Sequence, residues 1–210
     1  MIEEVPDKAA ADTLLPVMEA FYTLQGEGAH QGRAAYFIRL GGCDVGCHWC
    51  DVKESWDASQ HPLVSVEEMA QEAARYPARV AIITGGEPLM HNLTALCEAL
   101  HQRGFSIHIE TSGAHPVRGA LDWICLSPKK FKAPLPTIYP LVHELKVVVY
   151  HRSDFAWAEQ FAQEMPADCQ LFLQPEWSAS DKVLPLIIEY VKEHPEWRIS
   201  LQAHKFMQIP

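Results

Sequence analysis

Short apolar runs rich in β-branched residues recur along the chain at 34–40 (AAYFIRL), 79–84 (RVAIIT), 105–110 (FSIHIE), 122–127 (DWICLS), 145–150 (LKVVVY), 170–174 (QLFLQ) and 197–202 (WRISLQ). Each predicts a strand. Between several of them apolar residues fall at helical spacing: 65–76, opened by Ser65 and Glu68 as a capping-box pair; 92–104, closed by Gly104; 153–165; and 180–194. Strand alternating with helix predicts a parallel sheet in an α/β fold. Two connections break the rhythm. Segment 111–121 is too short for a crossover helix, and 128–142 carries Pro128, Pro134, Pro136 and Pro140, which discourage one. The pattern therefore predicts a sheet with missing or reduced helices, and Pro185 is expected either to kink the last helix or to delay its start.

The residues that follow the strands carry more information than the strands. After 34–40 comes GGCDVGCHWCD, after 79–84 GGEPL, after 105–110 TSG, after 122–127 PKK, and after 170–174 PEW. In a parallel α/β sheet or barrel all five emerge at the C-terminal edge, where such folds build active sites. Gly, Pro and Ser also punctuate strand ends as plain turn chemistry. That reading suffices for TSG or PKK alone, but not for the set.

Length and composition add bounds. With 210 residues and 48% hydrophobic content, the chain can bury a full core and form one domain, with at most small additions. The N-terminus MIEEVPDKAA lacks the pattern of a secretory signal, and no apolar run approaches the roughly 18–20 residues that span a bilayer. The expectation is a soluble, cytoplasmic protein without a membrane partner. A formal net charge of -10 works against binding a nucleic-acid backbone and favours a small molecule or a protein as partner. Eleven histidines are dispersed without a ligand-pair motif, which makes most of them surface or packing residues.

In a reducing compartment six cysteines are not read as three disulfides. Three lie within eight positions, Cys43, Cys47 and Cys50, at the spacing C-x3-C-x2-C. One loop can wrap them around a single inorganic centre. Three thiolates leave a four-coordinate metal one position short, whereas a [4Fe-4S] cube held by three cysteines keeps one open iron. Zinc needs a fourth ligand; His48 lies awkwardly inside the loop and His30 is more distant. Cys97, Cys125 and Cys169 stand alone and read as packing residues.

With Trp49 before the third cysteine and GGEPL at 85–89, the loop resembles the cluster loop of the radical S-adenosylmethionine (SAM) superfamily. Those enzymes chelate SAM on the open iron and use the reduced cluster to generate a 5'-deoxyadenosyl radical. The stretch FYTLQGEGAHQGRAAYFIRLGGC (21–43), with ITGGEPL, IETSG, LSPKK, ELK, LQPEW and the terminal proline, resembles the 7-carboxy-7-deazaguanine synthases over nearly the whole chain. The resemblance implies an incomplete, modified (β/α) barrel of the radical SAM type and a homodimer. It implies rearrangement of 6-carboxy-5,6,7,8-tetrahydropterin to 7-carboxy-7-deazaguanine with loss of ammonia, on the way to queuosine and other 7-deazapurines, driven by an external low-potential electron donor. Residues 1–210 would be one radical SAM domain, with a substrate-binding segment at about 18–34 and a C-terminal tail closing the site.

Carried over residue by residue, the cluster ligands are Cys43, Cys47 and Cys50. The SAM contacts fall on Trp49, Cys50 and Asp51, on Gly86, on Ser127, Pro128 and Lys129, and on Gln174, Pro175, Glu176 and Trp177. The substrate contacts fall on Leu24, Gln25 and Gly26, on Arg39, on Thr84 and on the carboxylate of Pro210. A Gln amide can pair with the amide-like edge of a pterin, and a guanidinium suits a carboxylate. Arg39 in an apolar strand equally predicts a structural salt bridge. These synthases usually place Thr after the Cys-Asp of the loop as a Mg2+ ligand; this chain has Val52, which has no oxygen to offer. A glycyl-radical activating enzyme and a non-enzymatic metal or electron-transfer module are the rival readings. The LQGEG segment argues against the first, and the GGEPL strand end with its convergent loops against the second.

Overall fold

The computed structural model describes residues 13–210, so the polar stretch 1–10 lies outside the described residues. Its strands are β1 (Leu14–Leu24), β2 (Ala34–Leu40), β3 (Leu63–Ser65), β4 (Val80–Gly85), β5 (Ser106–Thr111), β6 (Trp123–Leu126), β7 (Glu144–Val149), β8 (Gln170–Pro175) and β9 (Trp197–Ile199). Its helices are α1 (Val66–Ala74), α2 (Thr94–His101), α3 (Ser153–Ala162), α4 (Ser180–Glu193) and α5 (Ala203–Met207). The strands form one open sheet in the order β3-β1-β2-β4-β5-β6-β7-β8-β9. From β2 to β9 every neighbouring pair is parallel. The sheet does not close, which leaves an incomplete (β/α) barrel.

All seven apolar runs form strands, with ends shifted by a few residues. Two strands lie outside them. In β1, Pro16 and the run Met18–Glu19–Ala20 mask the extended pattern. It forms because β2 supplies an antiparallel partner from Val17↔Leu40 to Leu24↔Ala34. β3 is too short to show a period.

Local signals at the helix ends hold. Ser65 Oγ accepts the Glu68 N–H at 3.1 Å while the Glu68 carboxylate accepts the Ser65 N–H at 3.2 Å, the reciprocal cap expected for α1. α4 starts at Ser180 and runs through Pro185, so the proline does not delay it. No α-helix forms in 111–121 or 128–142; the latter holds a six-residue 3-10 segment at Pro136–Leu141.

Strand alternation divides the side chains between two faces. Ile107 and Ile109 of β5, with Leu145, Val147 and Val149 of β7, join the main core, to which α1 to α4 contribute Met69, Leu96, Ala158 and Ile187. The intervening residues, His108 and Glu110, Glu144 and Lys146, occupy the other face. Burying a charged layer there requires internal partners. Among the described residues no helix is long and apolar enough to cross a membrane.

Candidate active site

The five segments that follow the strands surround one cavity of about 240 Å³. Cys43, Cys47 and Cys50 enter it from the loop after β2, Gly86 and Glu87 from the end of β4, and Thr111 and Ser112 from the end of β5. Ser127 and Lys129 line it after β6, and Gln174 to Trp177 after β8.

Backbone bonds close the base of the cysteine loop: Gly42 N–H donates to the Ser55 carbonyl at 2.6 Å and Cys43 N–H to the Trp56 carbonyl at 3.0 Å. Asp44, inside the loop, accepts Lys132 Nζ at 2.6 Å and lies 2.9 Å from His115 Nε2, which ties the loop to both helix-free connections. The thiols pack with Val45 and Ala114. Burial raises the Cys43 thiol pKa and pushes that of Cys47 up to about 11.

The glycines after β4 are required by protein backbone. A Cβ on Gly86 would stand 2.3 Å from the Gly42 carbonyl oxygen and 2.8 Å from the Cys43 Cβ, so only glycine lets the two strand ends touch. Glu87 then stitches the third loop to them. Its carboxylate, 1% exposed, accepts Thr111 Oγ1 at 2.5 Å, Ser112 N–H at 2.8 Å, Leu89 N–H at 3.0 Å and the Ser112 hydroxyl.

The opposite wall is charged. Lys146, 3% exposed, donates to Glu27 Oε2 at 2.6 Å and to Glu110 Oε2 at 2.8 Å. Gln202 Nε2 meets Glu27 Oε1 at 3.0 Å, and Gln25 Nε2 meets Glu110 Oε1 at 3.2 Å. Burial by itself raises the Glu27 pKa, but the Lys146 charge and its hydrogen bond, with that of Gln202, outweigh it and hold the group at about 2. For Lys146 burial disfavours the charge, yet Cys125, Glu110, Glu27 and Glu144 hold its pKa well above the ordinary value. The result is a fixed cation between carboxylate acceptors.

Sequence reasoning passed over Glu27, Glu110, Lys146 and Gln202 as site residues, although Glu110 and Lys146, like Arg39, are charges inside apolar runs and so call for a partner. Arg39 pairs with Glu19 at 2.6 Å, as a strand arginine should, and it also lines the cavity next to Thr84, its register partner across β2 and β4.

Of the remaining expected contacts, Trp49, Asp51, Gln174, Pro175 and Trp177 line the cavity. Lys129 donates to the Ser127 carbonyl and hydroxyl at 2.7 and 2.6 Å and lies 5.8 Å from the Trp49 ring centroid. Glu176 lines it while capping a 3-10 turn through Ser178 and Ala179. Leu24, Gln25, Gly26, Pro128 and Pro210 stand outside the lining. Gln25 acts one step back, through Glu110, and Gly26 accepts the Ala203 N–H at 2.9 Å, which joins the 24–33 turn to the C-terminal segment. Pro210 is exposed.

The donor set fits a cube better than a single ion. A tetrahedral zinc held by Cys43, Cys47 and Cys50 would need a fourth protein ligand. His48 is turned to the Phe131 ring at 5.2 Å, and His30 meets the Trp123 ring edge to face at 4.5 Å. Neither histidine completes a zinc shell. Three cysteines without a fourth ligand suit a [4Fe-4S] cluster that keeps one open iron.

Over its whole length, 210 residues, the chain is 50% identical to the 7-carboxy-7-deazaguanine synthase of Flavobacterium psychrophilum, all of which is covered. The chain belongs to the 7-carboxy-7-deazaguanine synthase family. The synthase of Synechocystis sp. is 48% identical over 92% of this chain and 93% of its own. Residues 37–133, which hold the cysteine loop and GGEPL, match the Radical SAM superfamily. The crystal structure of QueE from Escherichia coli superposes with a TM-score of 0.83 at 33% identity, covering 95% of this chain and all of that one. In this synthase family member, then, the incomplete barrel and the cysteine loop belong to a shared radical SAM architecture.

Proposed function

We propose that this chain is a radical SAM lyase that converts 6-carboxy-5,6,7,8-tetrahydropterin to 7-carboxy-7-deazaguanine with loss of ammonia, in 7-deazapurine biosynthesis. One observation carries the reading: a three-cysteine corner and a buried carboxylate–ammonium–carboxylate wall share one cavity. Cys43, Cys47 and Cys50 would hold the cluster, and Gly86, Ser127, Lys129 and the Gln174–Trp177 segment would seat SAM. When bound, the reduced cluster and SAM supply the 5'-deoxyadenosyl radical.

The protein's part is orientation, charge and exclusion of water. Glu27 can only accept hydrogen bonds at neutral pH, because Lys146 and Gln202 keep it ionised. With Glu110 it presents acceptor oxygens suited to the N–H edge of a reduced pterin. The Lys146 Nζ proton stays in place, so this residue fixes acceptors and gives up no proton. Arg39, beside Thr84, offers donors to the substrate carboxylate. Lys129, whose pKa burial lowers, lies under the Trp49 ring at the SAM side. Leu24, Gln25, Gly26 and the Pro210 carboxylate, the other proposed substrate contacts, lie outside the cavity lining, and Gln25 meets Glu110 instead. The proposed assembly is a cytoplasmic homodimer served by an external low-potential electron donor.

The test is product analysis under anaerobic conditions with carboxytetrahydropterin, SAM and a low-potential reductant. Formation of 7-carboxy-7-deazaguanine with little net SAM loss supports the reading, and a colourless, zinc-loaded protein refutes it.

A further inference from the structure

We infer that this chain carries out its reaction without a divalent cation, the turn after Cys50 presenting an apolar wall where a Mg2+ ligand was expected. The inference rests on the reaction proposed above. Val52 lines the cavity beside Asp51 and Trp56. Its side chain has no lone pair, whereas Mg2+ demands oxygen ligands in a near-octahedral shell.

Of the neighbouring oxygens, those of Val52 and Ser55 are engaged within the turn and one of the Asp51 carboxylate oxygens is paired with Lys205. The Val52 carbonyl accepts the Ser55 N–H at 3.1 Å and the Ser55 hydroxyl at 2.7 Å, which uses both of its lone pairs. Ser55 is 1% exposed and spends its only hydroxyl proton inside the turn. Asp51 Oδ2 is 3.0 Å from Lys205 Nζ, an ammonium that also lies 4.8 Å from the Trp177 ring centroid. Deeper in the cavity, Lys146 holds one oxygen of Glu27 and one of Glu110, while Gln202 and Gln25 hold the other two. A metal ion would have to displace a buried ammonium to gain either of these two carboxylates. The positive charge that a substrate carboxylate needs is offered by Arg39, which lines the cavity.

The test uses the cluster-loaded enzyme, desalted into metal-depleted buffer and assayed from no added Mg2+ to millimolar Mg2+. Wild-type kcat/KM is expected to stay constant within about twofold, since no ligand is gained or lost. Val52→Thr, which puts a hydroxyl on the same branched frame, is expected to acquire a Mg2+ response of about tenfold or more, the scale of a ligand-sphere change. A second readout needs no turnover. The room-temperature six-line signal of free Mn2+ should survive addition of wild-type enzyme with SAM and substrate, and should fall with Val52→Thr. A Mg2+ requirement in the wild type, or uptake of Mn2+ by it, overturns the inference. So does a Val52→Thr enzyme as indifferent to both ions as its parent. Absence of product at every Mg2+ concentration counts against the reaction assignment instead, and the Mn2+ signal still decides the metal question.

Discussion

Replacing Lys146 by methionine keeps most of the side-chain volume and removes the one cation shared by Glu27 and Glu110. Lys146 is 3% exposed, so two carboxylates are left facing each other with little water to screen them. Breaking a buried pair by removing one partner costs about 3–5 kcal/mol. For a chain of this size that corresponds to an apparent Tm lowered by roughly 6–20 °C. The pH dependence carries a sharper signature. In the wild type the Glu27 pKa lies below its ordinary value of 4.5, at about 2, so its contribution is complete above 4.5 and is lost as the pH falls toward 2. In Lys146→Met, burial and mutual repulsion raise both carboxylate pKa values. Folding then takes up protons, and stability should rise as the pH drops below neutral. Anaerobic thermal unfolding followed by intrinsic fluorescence across pH measures both effects. The triple variant Lys146→Met, Glu27→Gln, Glu110→Gln should recover most of the lost Tm, because no charge remains unpaired, while staying inactive. A Tm loss under about 2 °C, or an acid limb identical to that of the wild type, would refute the claim that this layer is an ion pair held out of water.

Arg39→Met should raise KM for the pterin far more than it lowers kcat, with kcat/KM down about 10–100-fold, the worth of a charge-assisted hydrogen bond; an unchanged KM counts against Arg39 as a substrate contact. Glu87→Gln replaces one acceptor oxygen by an NH2 donor facing N–H and O–H donors at Ser112, Leu89 or Thr111 and should cost about 2–3 kcal/mol of stability, read as a lower apparent Tm and poorer iron incorporation. Burial, then the nearby His30 and Arg33 charges, lower the His108 pKa from 6.5 to about 4, so the folded state refuses a proton that the unfolded chain accepts and stability should decline as pH falls across that window. His108→Phe should flatten the decline, as a pH series of unfolding midpoints would show.

The alternation of apolar runs, the Ser65–Glu68 cap and the proline-rich 128–142 connection are local features, and each is legible because it acts within a few residues of itself. The same holds for the cysteine spacing and for Val52: a thiol brings its chemistry and a missing oxygen removes it wherever the chain goes. β1 was not legible, because a strand carrying Pro16 and helix-favouring residues becomes a strand only when β2 lies beside it. Nor was the charged wall. Glu27, Glu110 and Lys146 are separated by 83 and 36 positions along the chain, and nothing local indicates that β1–β2, β5 and β7 bring their side chains together. Charge states followed the same division: the sequence determined that carboxylates and an ammonium exist, and the tertiary structure decided which of them hold each other ionised, since that depends on burial and on distances of a few ångströms.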